Sequence, residues 1–559
     1  MRAEPGRYNT GKSKGGSFDR RTKERNGMMK KTISMLMVLA LLLTLFSGCG
    51  SQEATVTTEP KETTEAPTQE TTPEIDYANS TVILYTGNVR GNVELYPQIA
   101  AAKAAYEAKG ATVYLVDAGN YLQGTAAANS DRGLTIYNLM DAAGYDVAGM
   151  GVYEFVYGPA TTGVMYHGNL TKYYTQAELY RGTEELEYQK NSPRAEEKVM
   201  ATREAKAPAS FTVICSNLEE DPNSTVKYET KFNDFEANTV LGENLKVGFV
   251  SCVPEDLADH LQDGFLQDYV LQEAARPECD VLVALGGGTG DIVIEAPTDG
   301  EQVVGAYVIN NETRAITQET VDLSGSDAAV AERINGLETS PVAFRSEVTL
   351  DGADRDNRTG RTNLGSLVAD ALKWYGETYV EDRKDVPLVA IQNGGNCDNF
   401  IYPGDVTERD LLWALPFSPM GVGIEYMTGA ELLETLEAAT QASPCPGWAQ
   451  VSGLEYTVDE SLAYDMGEEY GDFFKANSVN RVTITSVNGE AFDENATYAV
   501  IADNFLMNGN DTYYTFGAIK EAGENYVQVT GKDGLLTRDI VALYVTEVLG
   551  GTVDSRYAG

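Results

Sequence analysis

With 559 residues, 42 Lys+Arg against 84 Asp+Glu and a net charge of −42, the chain is too long for one core and suggests two or three domains. Residues 1–48 hold ten basic and three acidic residues, which leaves 32 against 81, or −49, for the remainder. Such a surface repels nucleic acid and anionic membrane, so no nucleic-acid partner is expected, and a small anionic ligand would need a local positive pocket.

Residues 1–27 are polar and irregular and read as an upstream extension, with the start at Met28 or Met29. Lys30 and Lys31 precede the apolar run "MLMVLALLLTLF" (35–46), which is short for a bilayer span and fits the core of a secretory signal over 28–48. The small residues before Cys49 resemble a bacterial lipoprotein signal. That resemblance implies a lipid on Cys49 and anchoring at the extracellular face of a bacterial cell membrane; a cleaved signal with an incidental cysteine is the alternative. Residues 49–77, rich in Thr, Glu and Pro, read as a disordered tether. The remaining cysteines, Cys215, Cys252, Cys279, Cys397 and Cys445, contain no CxxC pair and form no zinc framework. A Cys397–Cys445 disulfide stays open beside isolated thiols.

The first folded region opens with a strand at 82–85 that runs into "TGNVRGN", followed by an Ala-rich helix pattern ending at Gly110, a natural C-cap. "TVYLVDAGN" reads as a buried strand ending in Gly119 and Asn120, "GLTIYNLMDAAG" as a helix, and "YDVAGMGVYEFVYG" as a strand entering a loop. Alternating strand and helix predicts parallel strands with the chemistry on loops at their carboxyl ends, so loops 87–90, 118–120 and 151–156 should converge. Residues 159–207 are polar and read as an insertion, after which strands return within 211–218, 245–252 and 279–291. The run "GGGTGD" leads into another strand-like segment rather than a helix, so it is no phosphate cradle. The second region starts near residue 343. Its "NLGSLVADALKWYG" places Leu364, Leu367, Val368, Ala371, Leu372 and Tyr375 on one helical face, and Thr428 with Glu431 form a capping-box pattern.

The segments "RTGRTNLGSLVADAL", "AIQNGGN", "PGDVTERDLLWALPFS", "TGAELLETLE", "QVSGLEYTVD" and "NFLMNGNDTYYTF", in this order and spacing, resemble the 5'-nucleotidase family of secreted metallophosphoesterases. The resemblance runs from about residue 78 to 559. It implies an α/β chain: a four-layer αββα metallophosphoesterase-like domain over 78–325 with the insertion at 159–207, an inter-domain linker helix over 326–342, and an α/β substrate-binding domain over 343–559. The family's first loop reads Asn-Asp-x-His-Gly, and here "GNVRG" puts Asn88 at the Asp position and Arg90 at the His position. Its second loop, Gly-Asp, is Gly119-Asn120. Its third, Gly-Asn-His-Glu-Phe-Asp, is "GVYEFV", with Val152 for the metal-binding Asn, Tyr153 for the catalytic His and Val156 for its Asp partner. The later Gly-His-x-His loop has its nearest counterpart in "GGTG", which places Gly288 and Gly290 at the histidines.

The whole chain contains two histidines, His167 and His260. A two-metal phosphatase uses several imidazoles and a bridging carboxylate to hold both cations and lower the pKa of the attacking water. No catalytic residue, metal ligand or cofactor is therefore expected; a divalent cation enters only if Asp117, Glu154, Asn88 and Asn120 gather one. Arg90 has two readings, a direct grip on phosphate and a pair with a local acidic residue, of which the second is favoured.

In the C-terminal region the resemblance implies a nucleoside or nucleotide site. Phe417 and Phe505 match the two rings that sandwich the base, Asp511 the carboxylate that accepts ribose hydroxyls, and Asn393 and Arg358 positions that contact ribose or phosphate. Asp398 stands where the family has a phosphate-facing arginine, so a neutral nucleoside should suffer less than a nucleotide. The reading is an inactive, lipid-anchored family member that binds a nucleoside-like small molecule. The alternatives are an active metal-dependent nucleotidase and a surface interaction protein acting through its insertion and acidic face.

Overall fold

The computed structural model describes residues 75–157, 169–175, 198–204, 210–221, 235–262, 266, 269–337, 339–381, 384–416, 421–529 and 535–559. The first half runs β1 (Ser80–Gly87), α1 (Leu95–Ala108), β2 (Thr112–Asp117), α2 (Ala126–Asn129), α3 (Leu134–Ala143), β3 (Val147–Ala148), β4 (Thr212–Val213), β5 (Thr239–Leu241), β6 (Val247–Ser251), β7 (Val281–Gly286), β8 (Ile292–Glu295), β9 (Val303–Asn310), β10 (Ile316–Glu319) and α4 (Ala328–Ile334). All of β1 is buried, as a central strand covered on both faces must be. It lies parallel to β2 and antiparallel to β9 in a six-stranded sheet of order β10-β9-β1-β2-β3-β4. A second sheet has the order β8-β7-β6-β5.

Strand alternation sorts the apolar residues into layers. Ile83, Tyr85, Val116 and Val147 of the larger sheet pack against Val247, Phe249, Val283 and Leu285 of the smaller one. The opposite face sends Val82, Leu84, Val113 and Leu115 against Tyr96, Ile99, Ile136 and Met140 on α1 and α3. A helical layer and two sheets thus follow the four-layer expectation. On the outer face of the smaller sheet Val250, Leu282 and Ala284 cluster with Cys279, and Pro277 and Cys279 lie over Gly248. The 159–207 stretch contributes an antiparallel strand pair, Asn169–Thr175 with Lys198–Glu204. Among the described residues of 326–342 the helix is α4, capped by the Asp327 side chain, with Val330 and Ile334 packed on the first core.

The second half runs β11 (Val342–Ser346), α5 (Asn363–Tyr379), β12 (Leu388–Asn393), β13 (Gly404–Thr407), α6 (Glu408–Ala414), β14 (Val422–Thr428), α7 (Gly429–Ala439), β15 (Ala449–Ser452), β16 (Thr497–Asp503), α8 (Asn504–Met507), α9 (Tyr514–Ala522), β17 (Tyr526–Gln528), α10 (Thr537–Glu547) and β18 (Thr552–Val553). A five-stranded sheet, β15-β12-β16-β14-β17, carries the buried stripe of α5 with Ile540 and Val541 of α10 on one face and Leu432, Leu436 and Phe516 of α7 and α9 on the other. Thr428 and Glu431 cap α7 reciprocally, and Thr407 and Asp410 do the same for α6. The halves meet along β13: Asp405 N donates to Gly124 O at 2.9 Å, Ala126 N to Asp405 Oδ2 at 3.0 Å, and Asn129 Nδ2 to Asp405 O at 2.9 Å.

Glu425 on β14 is fully buried, with no hydrogen-bond partner for either carboxylate oxygen among the described residues. Burial pushes its pKa from 4.5 up to about 9, with Lys520 pulling the other way. The folded chain therefore holds a proton that the unfolded chain releases, and this group's effect on stability worsens as pH rises from 4.5 towards about 9. Glu425→Met should stabilise the chain at neutral pH by on the order of 3 kcal/mol and match the wild type in acid. Denaturant titrations at several pH values check this; parallel profiles for the two proteins would refute it.

Candidate functional site

Because β1 and β2 are parallel neighbours, the loops at their carboxyl ends emerge side by side. Asn88 N donates to Gly119 O at 3.0 Å and Arg90 N to Asn120 O at 2.9 Å. Asn88, Arg90 and Asn120 all adopt left-handed backbone, with φ of 53°, 48° and 63°. At Gly119 a Cβ would lie 2.6 Å from Gly151 N, so the approach of the second loop to the third requires glycine.

Glu154 fixes that approach. It is fully buried, and its Oε2 accepts from Asn120 N (2.8 Å) and Gly151 N (2.7 Å), its Oε1 from Tyr121 N (2.7 Å) and Leu122 N (3.2 Å). Burial raises its pKa, and the four N–H groups oppose that rise. Nearby, Asp117 accepts from Thr86 Oγ1 at 2.5 Å and Gly119 N at 2.7 Å. Burial pushes its pKa up to about 7, Thr86 and Gly119 lower it, and Glu154 adds to the rise.

The side chains of Asn120, Asn88 and Arg90 face the protein's own backbone. Asn120 Nδ2 donates to Asn88 Oδ1 and to Ala296 O, both at 2.9 Å, while its Oδ1 accepts from Tyr153 N at 3.1 Å. Asn88 Nδ2 donates to Pro297 O (3.0 Å) and Glu301 O (3.2 Å). Arg90 donates to Thr298 O and lies over the Tyr153 ring, 5.2 Å from its centroid. This corrects the favoured reading of Arg90: among the described residues it forms no ion pair, because the 296–301 segment presents carbonyl oxygens where a carboxylate was expected. Val152, Tyr153 and Val156 are buried, the Tyr153 ring meeting Tyr402 edge-on at 5.8 Å. Gly288 and Gly290 lie in the short β7–β8 connection, Gly288 beside Cys252 Sγ and Gly290 against Leu282 O.

This donor set does not fit a pair of divalent cations. The two amides turn their NH2 groups to carbonyls, Asp117 and Glu154 are committed to N–H and O–H donors, and Arg90 adds positive charge. Among the described residues no group of three His, Cys, Asp or Glu side chains is placed to hold a metal ion. His260 lies 3.4 Å from Asp256, remote in sequence from all three loops, and His167 and Cys49 lie outside the described residues.

In the second half, Asn393 ends β12 and its Nδ2 donates to Asp511 Oδ2 at 2.8 Å. Gln392 Nε2 donates to Asn393 Oδ1 (2.8 Å) and to Asp503 Oδ2 (3.0 Å), which also accepts from Asn396 Nδ2 (3.3 Å). Asp503 caps α8 through Leu506 N, and α8 carries the half-buried Phe505. Arg358 Nη2 lies 2.6 Å from Asp354 Oδ1. Burial raises the pKa of Asp511, which Asn393 and Arg358 lower and Asp503 raises. Burial and then Asp354 push Asp398 up to about 6, against Arg358. Asn393, Asp511, Arg358 and Asp398 are thus drawn into one electrostatic neighbourhood; Phe417 lies outside the described residues. Gly394 is needed here, since a Cβ would stand 1.9 Å from Asn357 O. Cys397 and Cys445 are buried free thiols.

Sequence reading missed Asp354, Gln392 and Asp503, and the carbonyls of 296–301. Asp354, four residues before Arg358, carried a usable spacing signal; backbone carbonyls carry none.

Residues 341–518 match the family model described as 5'-nucleotidase, C-terminal domain. The trifunctional nucleotide phosphoesterase protein YfkN of Bacillus subtilis is 25% identical over 456 residues, covering 72% of this chain and 30% of YfkN. Residues 341–518 are therefore similar to the C-terminal domain of 5'-nucleotidases. The NAD 5'-nucleotidase of Haemophilus influenzae is 28% identical over 167 residues, 29% of this chain and 26% of its own length. The matches thus span less than a third of these curated relatives. The 5'-nucleotidase precursor of Thermus thermophilus aligns over 85% of this chain and 99% of its own, at 17% identity and a TM-score of 0.37. The fold is mixed α/β in both halves, like that of 5'-nucleotidases, and the second half carries the match to their C-terminal domain.

Glu154→Gln would set an NH2 group against N–H donors in a buried site. It should cost about 2–4 kcal/mol in urea unfolding; a loss under about 0.5 kcal/mol would show that the carboxylate does not tie the loops.

Proposed function

We propose that this chain is a catalytically inactive member of the 5'-nucleotidase family. In this reading it is lipid-anchored through Cys49 at the extracellular face of a bacterial cell membrane and binds a nucleoside-like small molecule in its C-terminal domain. One observation carries the inactive part. Asn120, Asn88 and Arg90, at positions matching family metal ligands, donate to the carbonyls of Ala296, Pro297, Glu301 and Thr298. Neutral amides and a guanidinium cannot balance two dications or generate a metal-bound hydroxide. Losing part of a catalytic unit removes most of its rate.

Support for the ligand lies in the Asn393–Asp511 hydrogen bond and in Phe505 on the adjacent short helix. A ring suits a base face, and a carboxylate steadied by an amide suits ribose hydroxyls. The names of the relatives, nucleotide phosphoesterase and NAD 5'-nucleotidase, point to the same ligand class.

Elemental analysis after Mn²⁺ or Zn²⁺ loading, paired with an AMP hydrolysis assay, should show neither stoichiometric metal nor phosphate release. Two tightly held metals with turnover would overturn the inactive reading. Calorimetry should detect adenosine binding that Phe505→Ala weakens roughly tenfold or more. Silence across a panel of nucleosides, from a folded chain, would remove the ligand.

A further inference from the structure

We propose that the cleft between α6, α10 and the segment entering β11 binds a small aliphatic carboxylate, held by Arg409 and Arg538. None of the residues assigned to the nucleoside reading takes part, so the two stand separately.

Three elements build the cleft. β13 pairs with β11 in an antiparallel ladder that sets Val342 opposite Thr407, and Glu408 N donates to Pro341 O at 3.0 Å. The start of α6 therefore lies directly beside the chain entering β11. α10 buries Ile540 and Val541 in the same core as Leu411 and Phe344. Among these elements lies a cavity of about 480 Å³, within the range of roughly 300–1,000 Å³ usual for small-molecule sites. Pro341, Leu411, Leu412 and Ala542 give it an apolar wall, and Arg409 and Arg538 are its cations.

Other arginines of this acidic chain are engaged. Arg345 pairs with Asp405, Arg358 with Asp354 and Arg361 with Glu455, while Arg90 and Arg481 donate to backbone carbonyls. Arg409 and Arg538 are half-buried, yet among the described residues neither guanidinium makes a hydrogen bond; Arg538 Nε lies 3.8 Å from Asp539 Oδ1. The carboxylates around them are committed to other donors. Asp539 Oδ2 accepts from Leu536 N at 3.1 Å and closes the start of α10. Asp410 Oδ2 accepts from Thr407 N at 2.8 Å and Asn129 Nδ2 at 3.3 Å, and Asp131 Oδ2 accepts from Thr135 N at 3.0 Å. Arg409 attracts Asp131 and Asp410 through space, without an ion pair to either among the described residues. Glu408, also on the lining, is exposed and screened by water.

The position of Arg538 points the same way. It is the second residue of the eleven-residue α10, at the positive end of the helix dipole, where a cation is unfavourable and an anion is welcome. A bound carboxylate removes that conflict, because it accepts paired N–H donors from a guanidinium fork and meets the dipole with the right sign. The surrounding charge selects a monoanion. Two guanidiniums and two carboxylates line the cavity, so one negative charge can be met by the unmatched donors, while a phosphate dianion adds repulsion from Asp539 and Glu408. The apolar wall takes up a short aliphatic tail.

Calorimetry on the full chain with hexanoate, hexanamide and inorganic phosphate at neutral pH tests this. Hexanoate should bind at least about tenfold more tightly than hexanamide, which keeps the tail and lacks the charge, and more tightly than phosphate. Arg409→Gln and Arg538→Gln should each weaken hexanoate about tenfold, whereas Arg276→Gln, at an exposed arginine outside the cavity, should leave it unchanged. The comparison of the three ligands uses wild type alone, so it stands even where a variant misfolds. Equal binding of hexanoate and hexanamide would overturn the grip on an oxyanion, and tighter binding of phosphate would overturn the aliphatic carboxylate. Unchanged hexanoate binding in folded Arg409→Gln and Arg538→Gln, or none in folded wild type, would remove the site. Each of these results bears on this cleft alone and leaves the nucleoside reading to its own test.

Discussion

The carboxylate of Glu154 is the constraint around which the first half is arranged. Removing a charge from water is expensive, and here four backbone N–H groups from two loops offset the cost. With those donors fixed, the Asn120 side chain has one workable orientation. Its Oδ1 faces Tyr153 N, so its Nδ2 must face Asn88 Oδ1 and Ala296 O. A carboxylate at 120 would hold an oxygen where Nδ2 now lies, 2.9 Å from the Ala296 carbonyl, and repel it. The amide and the inward position of residues 296–301 are therefore mutually dependent. The same logic applies to Asn88, whose Nδ2 meets two carbonyls of that segment. Carboxylates clustered for cations repel one another when the cations are gone; amides and a guanidinium end that repulsion, and the backbone completes the hydrogen bonding.

The closed site is coupled to the second half through packing and capping. Tyr153, under the Arg90 guanidinium, meets the ring of Tyr402, whose hydroxyl donates to His260 O at 2.9 Å. Asp410 caps α6 and also accepts from Asn129 of α2, while Asn129 donates to Asp405 O. Arg132, buried at the same seam, lies over the Trp413 ring at 4.6 Å. Hydrogen bonds, a shared cap and ring contacts thus cross the seam, which favours a fixed relation between the halves.

Strands, helices and the order of the loops were legible because burial imposes a period: β1 is apolar enough to lie between two layers, and the α5 stripe is buried as its spacing demands. The approach of the first two loops was legible too, since Asn88, Arg90 and Asn120 stand just beyond the ends of parallel neighbouring strands. What those side chains would bind was not. Arg90 found a carbonyl rather than a carboxylate because its partner is backbone from a segment some two hundred residues on, and any residue type supplies a carbonyl. In the C-terminal site, Asp354 could be read from its spacing to Arg358, whereas the roles of Gln392 and Asp503 appear only once β12 and β16 lie side by side.

The two sites illustrate opposite uses of charge in a strongly acidic chain. The first has spent its carboxylates on N–H donors and its guanidinium on a carbonyl, so its charges point inward and offer little to a ligand. The second keeps Asp398 and Asp511 half-buried beside an arginine that already has a carboxylate partner. Half-buried carboxyls with raised pKa values are poor stabilisers, because desolvation opposes their ionised form.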